Sequence, residues 1–334
     1  WNDGLDMAEK RGESVAFTAL YGGNLRDLAK DIMTLSKKTG KDTISLAKEI
    51  EVLLNADKTV YDSIDEKHKV LNAYCNAVGH KVSGEKVSVD CTKLCNVLNE
   101  MSSWIADHIR KTEWITNKEG NSWFNGYYDN HGNAVEYSKK DEVRMMLTGQ
   151  VFAVMSKTAG EEQVKEICRS ADKFLFDQKA GGYRLNTDFK EEKFDLGRMF
   201  GFAYGEKENG AVFSHMTVMY ANALYQRGFI REGYKALQTL ADTALDFDTS
   251  RIYPGIPEYF NAEGRGMYAY LTGAASWYML TMITEVFGVK GDLGDLVIAP
   301  ALMPKQYNEN GQASLTMEFA GRKLEICICN PEKK

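Results

Sequence analysis

Apolar residues recur at helical spacing along most of the chain, and this periodicity limits the fold more than any other feature of the sequence. Residues three and four positions apart share one face of a helix, and an apolar face must pack against another element. The pattern predicts helices at Glu13–Lys38, Ile44–Leu54, Leu94–Ile109, Val143–Ser156, Gln163–Phe176, Phe213–Arg227, Arg231–Leu245 and Met267–Phe287, with a shorter one around Lys67–Val78. Such a series is typical of a toroid of antiparallel helices whose loops form a pocket at one end. A helical solenoid is the alternative, although no fixed repeat is visible.

Three segments depart from the helical pattern. Asn55–Asp90 is polar and rich in lysine, which is typical of an insertion on the outside of a fold. Asn121–Tyr137 alternates aromatic and polar residues around a turn sequence, and it predicts a hairpin. After Gly288 the chain continues as strand-like apolar runs. We therefore predict a helical part over residues 1–289 and the beginning of a β domain over residues 290–334.

The composition excludes several classes of protein. Apolar residues make up 44% and charged residues 26% of the 334 residues, as in a globular protein. The net charge of -6 and the lack of a basic stripe argue against nucleic acid as a partner. No apolar run reaches the roughly eighteen residues of a membrane-spanning helix, so no membrane association is predicted. The 6 cysteines have no framework or zinc spacing, which predicts reduced thiols, no metal site and a cytoplasmic location.

Both ends of the sequence predict that the chain is part of a longer one. It begins with Trp1 inside a dense motif, without a polar leader. At its other end two predicted strands would form a lone hairpin, which needs further strands for stability.

The opening motif WNDGLD places Trp1, Asp3 and Asp6 in a turn before the first helix. A carboxyl group that an indole shields from water has a raised pKa, as a general acid requires. A helix-capping aspartate beside a core tryptophan explains the same residues, and from the residues alone this is the favoured interpretation.

Two later motifs supply polar side chains at the entries of helices. KENGAVFSH sets Glu208, Asn209 and His215 before an apolar helix, where backbone N–H groups attract anions. A purely structural histidine is the alternative. The loop that contains Glu258, Tyr259 and Arg265 combines aromatic, carboxylate and amide groups, which suit sugar binding, although a tyrosine-rich structural loop would have the same composition.

In this order and spacing, WNDGLD, WFNGYYDNHG, GGYRLNTDF, KENGAVFSH and GIPEYFNAEGRGMYAYLTGAASW resemble the phosphorylases of glycoside hydrolase family 94. The resemblance covers nearly the whole chain. It implies a mainly α fold, namely the second part of an (α/α)6 barrel followed by the first strands of a C-terminal β domain.

The resemblance also implies roles for individual residues. Asp3 matches the catalytic acid and Trp1 a contact to the donor sugar. Glu258 matches a glutamate that contacts the acceptor sugar, and Tyr259, Glu208 and Asn209 join it as substrate-binding candidates. Cellobiose phosphorylases have a phosphate-binding histidine shortly after that glutamate, but the sequence here is AEGRGMY. We therefore expect phosphate at two other residues, Arg265 and His215.

These observations predict inverting phosphorolysis of β-linked gluco-oligosaccharides that releases α-glucose 1-phosphate, with β-1,2-oligoglucans as the first choice of substrate. Cellobiose, cellodextrin and laminaribiose are alternative substrates. Two other hypotheses for the function are an inverting β-glucan hydrolase, with Glu208 or Glu258 as its base, and a non-catalytic carbohydrate-binding helical domain. Phosphate is a co-substrate and no cofactor is expected. The expected partners are the oligosaccharide and phosphate, and a homodimer is left open.

Overall fold

The structure is a computed structural model that describes residues 12–139, 142–193, 196–253, 255–270 and 272–332. The chain divides into two compact units. One is Thr18–Thr112, and the other comprises the described residues up to Phe17 and from Glu113 onward. The helices are α1 (Val15–Thr39), α2 (Glu51–Leu54), α3 (Ile64–Val78), α4 (Cys91–Thr112), α5 (Leu147–Met155), α6 (Glu161–Phe174), α7 (Ser214–Gln226), α8 (Ile230–Leu245), α9 (Phe247–Ser250) and α10 (Gly273–Thr281).

The strands are short and pair antiparallel. They are β1 (Glu13–Ser14), β2 (Thr43–Ala47), β3 (Lys86–Asp90), β4 (Trp114–Thr116), β5 (Ser122–Phe124), β6 (Tyr127–Tyr128), β7 (Tyr137–Lys139), β8 (Glu142–Arg144), β9 (Phe176–Asp177), β10 (Gly182–Tyr183), β11 (Val212–Phe213), β12 (Tyr259–Phe260), β13 (Gly266–Met267), β14 (Val289–Asp292), β15 (Asp295–Ile298), β16 (Gln312–Phe319) and β17 (Arg322–Cys329). The described residues are therefore mainly helical, as the sequence predicts.

The smaller unit, Thr18–Thr112, has a core of its own between α1 and α4. Its buried members are Ala29, Leu94, Cys95 and Leu98, and half-buried apolar side chains surround them. The helix predicted around Lys67–Val78 is found as α3. The helix predicted at Ile44–Leu54 is wrong over its first part, because β2 occupies Thr43–Ala47 and pairs with β3.

In the larger unit, the helices α5, α7 and α10 run in the same direction. After the end of α7, Arg227 Nη1 donates a hydrogen bond to the carbonyl of Val154 near the end of α5, at 2.9 Å. The first turns of α7 and α10 also meet, because a Cβ at Gly273 would lie 3.1 Å from His215 Cε1, and further along both helices Asn222 Nδ2 donates to Thr281 Oγ1 at 3.1 Å. Since like ends meet in both pairs, the N-terminal ends of α5, α7 and α10 lie at the same end of the helix layer.

Two other helices flank this layer. Gly228, with φ of +79°, reverses the chain between α7 and α8, which pack as an antiparallel pair. Lys235 on α8 forms an ion pair of 2.7 Å with Asp172 on α6. The residues of α5 from Leu147 to Val154 are all buried, whereas α6 and α8 bury one face each. The burial pattern distinguishes inner helices from outer ones.

Two predicted helices begin later than the periodicity suggests. The helix predicted from Val143 begins at Leu147, because Glu142–Arg144 is β8 in a hairpin with β7. The helix predicted from Met267 begins at Gly273, because Gly266–Met267 is β13. In both cases a strand occupies the residues directly before the helix.

Strands are found after Gly288 as predicted, in the hairpins β14–β15 and β16–β17. A domain boundary near residue 290 stays a prediction. Within the described ranges, no helix has both the length and the apolar character needed to cross a bilayer.

Candidate functional site

A small three-stranded sheet joins the two motif-rich loops of the larger unit. Its order is β11–β12–β13, with β12 in the centre. Beyond the paired strand residues, Ser214 N donates to the carbonyl of Glu258 at 3.0 Å, and Glu258 N donates to the carbonyl of Tyr268. Glu258 therefore lies at the end of the sheet where α7 begins.

The carboxylate of Glu258 has two polar partners. Lys207 Nζ lies 3.3 Å from Glu258 Oε2, and the Tyr270 hydroxyl donates to the same oxygen at 3.3 Å. Lys207 Nζ also lies 3.7 Å from the centre of the Tyr268 ring, as in a cation–π interaction. Burial alone would lower the pKa of Lys207, but the neighbouring Glu258 carboxylate raises it. The amine is therefore a cation held between a carboxylate and an aromatic face.

Two members of this cluster have an unusual backbone conformation. Lys207 has a φ of +48° and Tyr268 a φ of +62°, in the left-handed region that non-glycine residues rarely adopt. Such conformations are costly, and they concentrate at binding and catalytic sites. Their occurrence on both sides of Glu258 marks this cluster as the strongest candidate for a binding site among the described residues.

Tyr259 and Asn209 have mainly structural contacts. The buried Tyr259 donates from its hydroxyl to Glu206 Oε2 at 3.1 Å. Asn209 Nδ2 donates to the carbonyl of Phe202 at 2.8 Å, and Asn209 Oδ1 accepts from Asn186 Nδ2 at 3.1 Å. Both side chains stabilise the loop that presents Lys207. Their predicted contacts with substrate stay predictions.

Glu208 and Gly210 belong to the same loop. Glu208 is buried, with 2% of its surface exposed. Gly210 has a φ of +73°, and a Cβ there would lie 2.1 Å from the Tyr204 ring. Its amide donates to Asn186 Oδ1 at 2.8 Å. The close approach explains why the motif needs glycine at this position.

His215 is the second residue of α7, and its imidazole lies against the beginning of α10. A Cβ at Gly273 would be 3.1 Å from His215 Cε1, and the Trp277 ring lies 5.8 Å from the imidazole ring between centroids. Burial lowers the pKa of His215 below its usual value. Within the part of the chain that the structure describes, His215 Nε2 and Thr272 Oγ1 are buried and have no hydrogen-bond partner.

Arg265 lies elsewhere. It is exposed in the turn between β12 and β13, where its amide donates to Asn261 Oδ1 at 3.1 Å. The strand register puts this turn at the end of the sheet opposite to Glu258 and His215. The structure thus brings Glu258 and His215 to one end and separates Arg265 from them. Trp1 and Asp3 lie outside the described residues.

The sequence motifs did not single out Lys207 or Thr272. Lys207 directly precedes the predicted Glu208, and Thr272 directly precedes the true start of α10. A helix start placed at Gly273 would have indicated Thr272, because donors at a helix N-terminus attract anions. The contact between Lys207 and Glu258 depends on two loops that meet only in the folded chain.

Comparison with protein families matches residues 88–288 to the family described as "Glycosyl hydrolase 94 superfamily, catalytic domain". The chain is similar to the cellobionic acid phosphorylase of Neurospora crassa, with 28% identity over 59% of this chain and 26% of that protein. It is also similar to the solabiose phosphorylase of Paenibacillus borealis, with 25% identity over 72% of this chain and 31% of that protein. The N,N'-diacetylchitobiose phosphorylase of Vibrio proteolyticus is 25% identical over 71% of this chain and 30% of that protein. The chain thus spans about a quarter to a third of the length of these relatives.

Proposed function

This chain belongs to the glycosyl hydrolase 94 superfamily, and from this premise we propose that it is part of an inverting phosphorylase that cleaves β-linked gluco-oligosaccharides with inorganic phosphate. One observation carries the proposal. His215 and Thr272, at the beginnings of α7 and α10, each have a buried polar atom without a hydrogen-bond partner in the described ranges, and Ser214, the neighbour of His215, donates its amide hydrogen to the carbonyl of Glu258. A group suited to an anion and a group suited to a sugar hydroxyl are therefore adjacent.

The phosphate contacts in this proposal are His215 and Thr272. A neutral imidazole keeps one N–H donor, and the lowered pKa of His215 favours this form near neutral pH. The backbone N–H groups in the first turn of α10 have no partner within the helix and add favourable electrostatics for an anion. Thr272 takes the role that the sequence assigned to Arg265, since the register puts Arg265 at the far end of the sheet.

The acceptor sugar contacts in this proposal are Glu258, Lys207 and the tyrosines around them. Carboxylate and ammonium groups bind sugar hydroxyls, and aromatic faces pack on the C–H patches of a pyranose ring. Tyr268 and Tyr270 are exposed and meet edge to face, with ring centroids 5.7 Å apart. Glu208, Asn209 and Tyr259 support the loops around this cluster.

The proposed reaction uses one protein carboxyl group. Asp3 gives its proton to the glycosidic oxygen, while a phosphate oxygen attacks the anomeric carbon from the opposite face. The carbon–oxygen bond to the leaving sugar breaks, and α-glucose 1-phosphate forms from a β-linkage. Trp1 contacts the donor sugar. Hydrolysis with inversion would need a second carboxylate as base, and the ion pair with Lys207 makes Glu258 poorly suited to that role.

The arrangement of helices supports the second part of an (α/α)6 barrel. Inner helices α5, α7 and α10 run in one direction, and α6 and α8 lie outside them, as in alternating inner and outer layers. The strands from Val289 onward are then the beginning of a C-terminal β domain. A cytoplasmic location and a homodimer belong to the same proposal.

For the substrate we propose a β-1,2-oligoglucan first, and cellobiose, cellodextrins or laminaribiose as alternatives. The named relatives include phosphorylases for cellobionic acid, solabiose and N,N'-diacetylchitobiose. Since these names give different disaccharides, we propose that the sugar-binding cluster around Glu258 contributes to specificity.

Incubation of the complete protein with β-1,2-, β-1,3- and β-1,4-linked gluco-oligosaccharides, with and without phosphate, tests the function. We expect α-glucose 1-phosphate only when phosphate is present. Release of glucose without phosphate would identify a hydrolase, and no release with any substrate would favour a binding domain. Asp3→Asn should abolish the reaction while the oligosaccharide still binds.

A further inference from the structure

The His215 imidazole lies along one face of α10. Gly273 and Trp277 are four residues apart, so they project from the same face of this helix. The edge of the imidazole that carries Cε1 and both nitrogens lies next to Gly273, where an added Cβ would be 3.1 to 3.6 Å from these atoms. The Trp277 ring contacts the imidazole one helical turn further on, at 5.8 Å and an interplanar angle of 52°.

The same face is fixed to α7 at its other end. Thr281 follows Trp277 by four residues and accepts the hydrogen bond of 3.1 Å from Asn222. Gly273, Trp277 and Thr281 therefore form one continuous strip against α7. The strip fixes α10 against the helix that bears His215.

We propose that Trp277 is a positioning residue for phosphate, which holds the His215 imidazole against the first turn of α10. This inference rests on the proposed function. The backbone of His215 is fixed by α7, but its side chain has two rotatable bonds. Gly273 leaves room for the ring, and Trp277 closes the space into which the ring could otherwise turn.

The position that Trp277 imposes on the imidazole suits an anion. Thr272 is the N-cap residue of α10 and makes no side-chain capping hydrogen bond, while its hydroxyl is buried. In the described ranges His215 Nε2 is likewise buried without a partner. Two buried donors at a helix N-terminus suit a tetrahedral oxyanion, and a displacement of about 1 Å can strongly weaken such a site.

Kinetics of the complete protein test the proposal, with Tyr278→Leu as the matched control. Tyr278 is the next residue on α10 and is also half-buried. We expect Trp277→Leu to raise the KM for phosphate about tenfold, with the KM for the oligosaccharide at saturating phosphate unchanged. Trp277→Phe should lie between wild type and Trp277→Leu, because a smaller aromatic face remains. Tyr278→Leu should leave the phosphate KM unchanged.

A double-mutant cycle separates positioning from a general loss of stability. In a His215→Asn background, Trp277→Leu should cause no further rise in the phosphate KM. A further tenfold rise there, or an equal rise in the KM of both substrates, would overturn the proposal. If Trp277→Leu does not fold, the phosphate KM of Trp277→Phe tests the positioning role instead. An unchanged phosphate KM in that variant contradicts the inference. A wild-type enzyme that needs no phosphate would refute the proposed function instead.

Discussion

Charge and backbone strain coincide at Lys207. Its left-handed backbone conformation costs about 1 kcal/mol or more. The compensation is an ammonium group that contacts both the Glu258 carboxylate and the Tyr268 ring. Asn209 and Gly210 make hydrogen bonds within this loop that do not involve the Lys207 side chain. The residue is therefore expected to act in binding.

Replacing Lys207 by methionine tests this expectation. The change keeps the length of the side chain and removes its charge, so Glu258 loses its ion-pair partner. We expect the KM for the oligosaccharide to rise about tenfold, as for the loss of a charged hydrogen bond, and the KM for phosphate to stay within about twofold. Lys179→Met, at an exposed lysine of another loop, is the control. Equal effects of the two substitutions would refute the assignment.

Glu136 provides a pH-dependent test of the fold. It is 1% exposed and accepts hydrogen bonds from Gly126 N at 2.5 Å and Met146 N at 2.6 Å. Burial raises its pKa from an ordinary value near 4.5 to about 8. The folded state thus binds this proton more tightly than the unfolded state. The resulting stabilisation is complete below pH 4.5 and is lost as the pH rises through 8.

Glu136→Gln removes this titration. The variant should be less stable than wild type at every pH, because an amide nitrogen would face a backbone donor. Its Tm should nevertheless fall less than that of wild type between pH 5 and pH 8.5, since glutamine cannot lose a proton. Thermal unfolding at several pH values measures how steeply the Tm changes with pH. Glu309→Gln, at an exposed site, should retain the wild-type slope.

The roles of the site residues stay predictions, but the structure shows which of them lie near one another. Glu258 and His215 come from motifs in the sequence, and the structure brings both to the same end of the small sheet. Arg265 was chosen because it is the cation in AEGRGMY, the stretch where the family resemblance led us to expect a phosphate contact. The register of β12 and β13, which separates it from His215, depends on hydrogen bonds that its local sequence does not specify.

At the scale of elements, local periodicity predicted helices well and short strands poorly. The apolar stripe of Leu94–Ile109 predicted α4, which extends over Cys91–Thr112. In Thr43–Ala47 the apolar residues also fit a helix, but their strand partner, Lys86–Asp90, lies about forty residues away. The residue pattern of one segment does not reveal a strand partner so far away in the sequence. The late starts of α5 and α10 have another cause, because each helix is preceded by a short strand that pairs with a nearby strand, β7 or β12.

Gly210 tests the loop before α7. Gly210→Ala forces a Cβ into the Tyr204 ring and strains a residue at a φ of +73°. We expect the free energy of unfolding to fall by about 2 kcal/mol or more, which calorimetry or denaturant unfolding can measure. The control is Gly201→Ala, at a glycine without a left-handed φ and with no atom within 4 Å of the added Cβ. A control as damaging as Gly210→Ala would contradict the explanation.

At the scale of the whole molecule, the two compact units have separate cores. That of Thr18–Thr112 is centred on Ala29 and Leu98. The core of the other unit contains the inner helices α5 and α7. A substitution in one core should therefore lower the local unfolding free energy of its own unit more than that of the other unit.

Leu98→Ala tests this separation. Truncation of a buried leucine costs about 2 to 5 kcal/mol. We expect faster hydrogen exchange in α4 and in the part of α1 within Thr18–Thr112, with less change in α5 and α7. Leu71→Ala, at a side chain 52% exposed, should change neither. Equal acceleration throughout the chain would show that the units unfold together.

The hydrogen bond from Ser214 to the carbonyl of Glu258 has a consequence for how specificity can diverge among relatives. The residue proposed for the acceptor sugar and the neighbour of the residue proposed for phosphate are the two partners of one main-chain bond. In the proposed reaction, the backbone therefore sets the separation of the two substrates. If the proposed function holds, side chains beside this bond can be exchanged during evolution and the accepted sugar can change, while the distance between the two proposed binding positions stays constant.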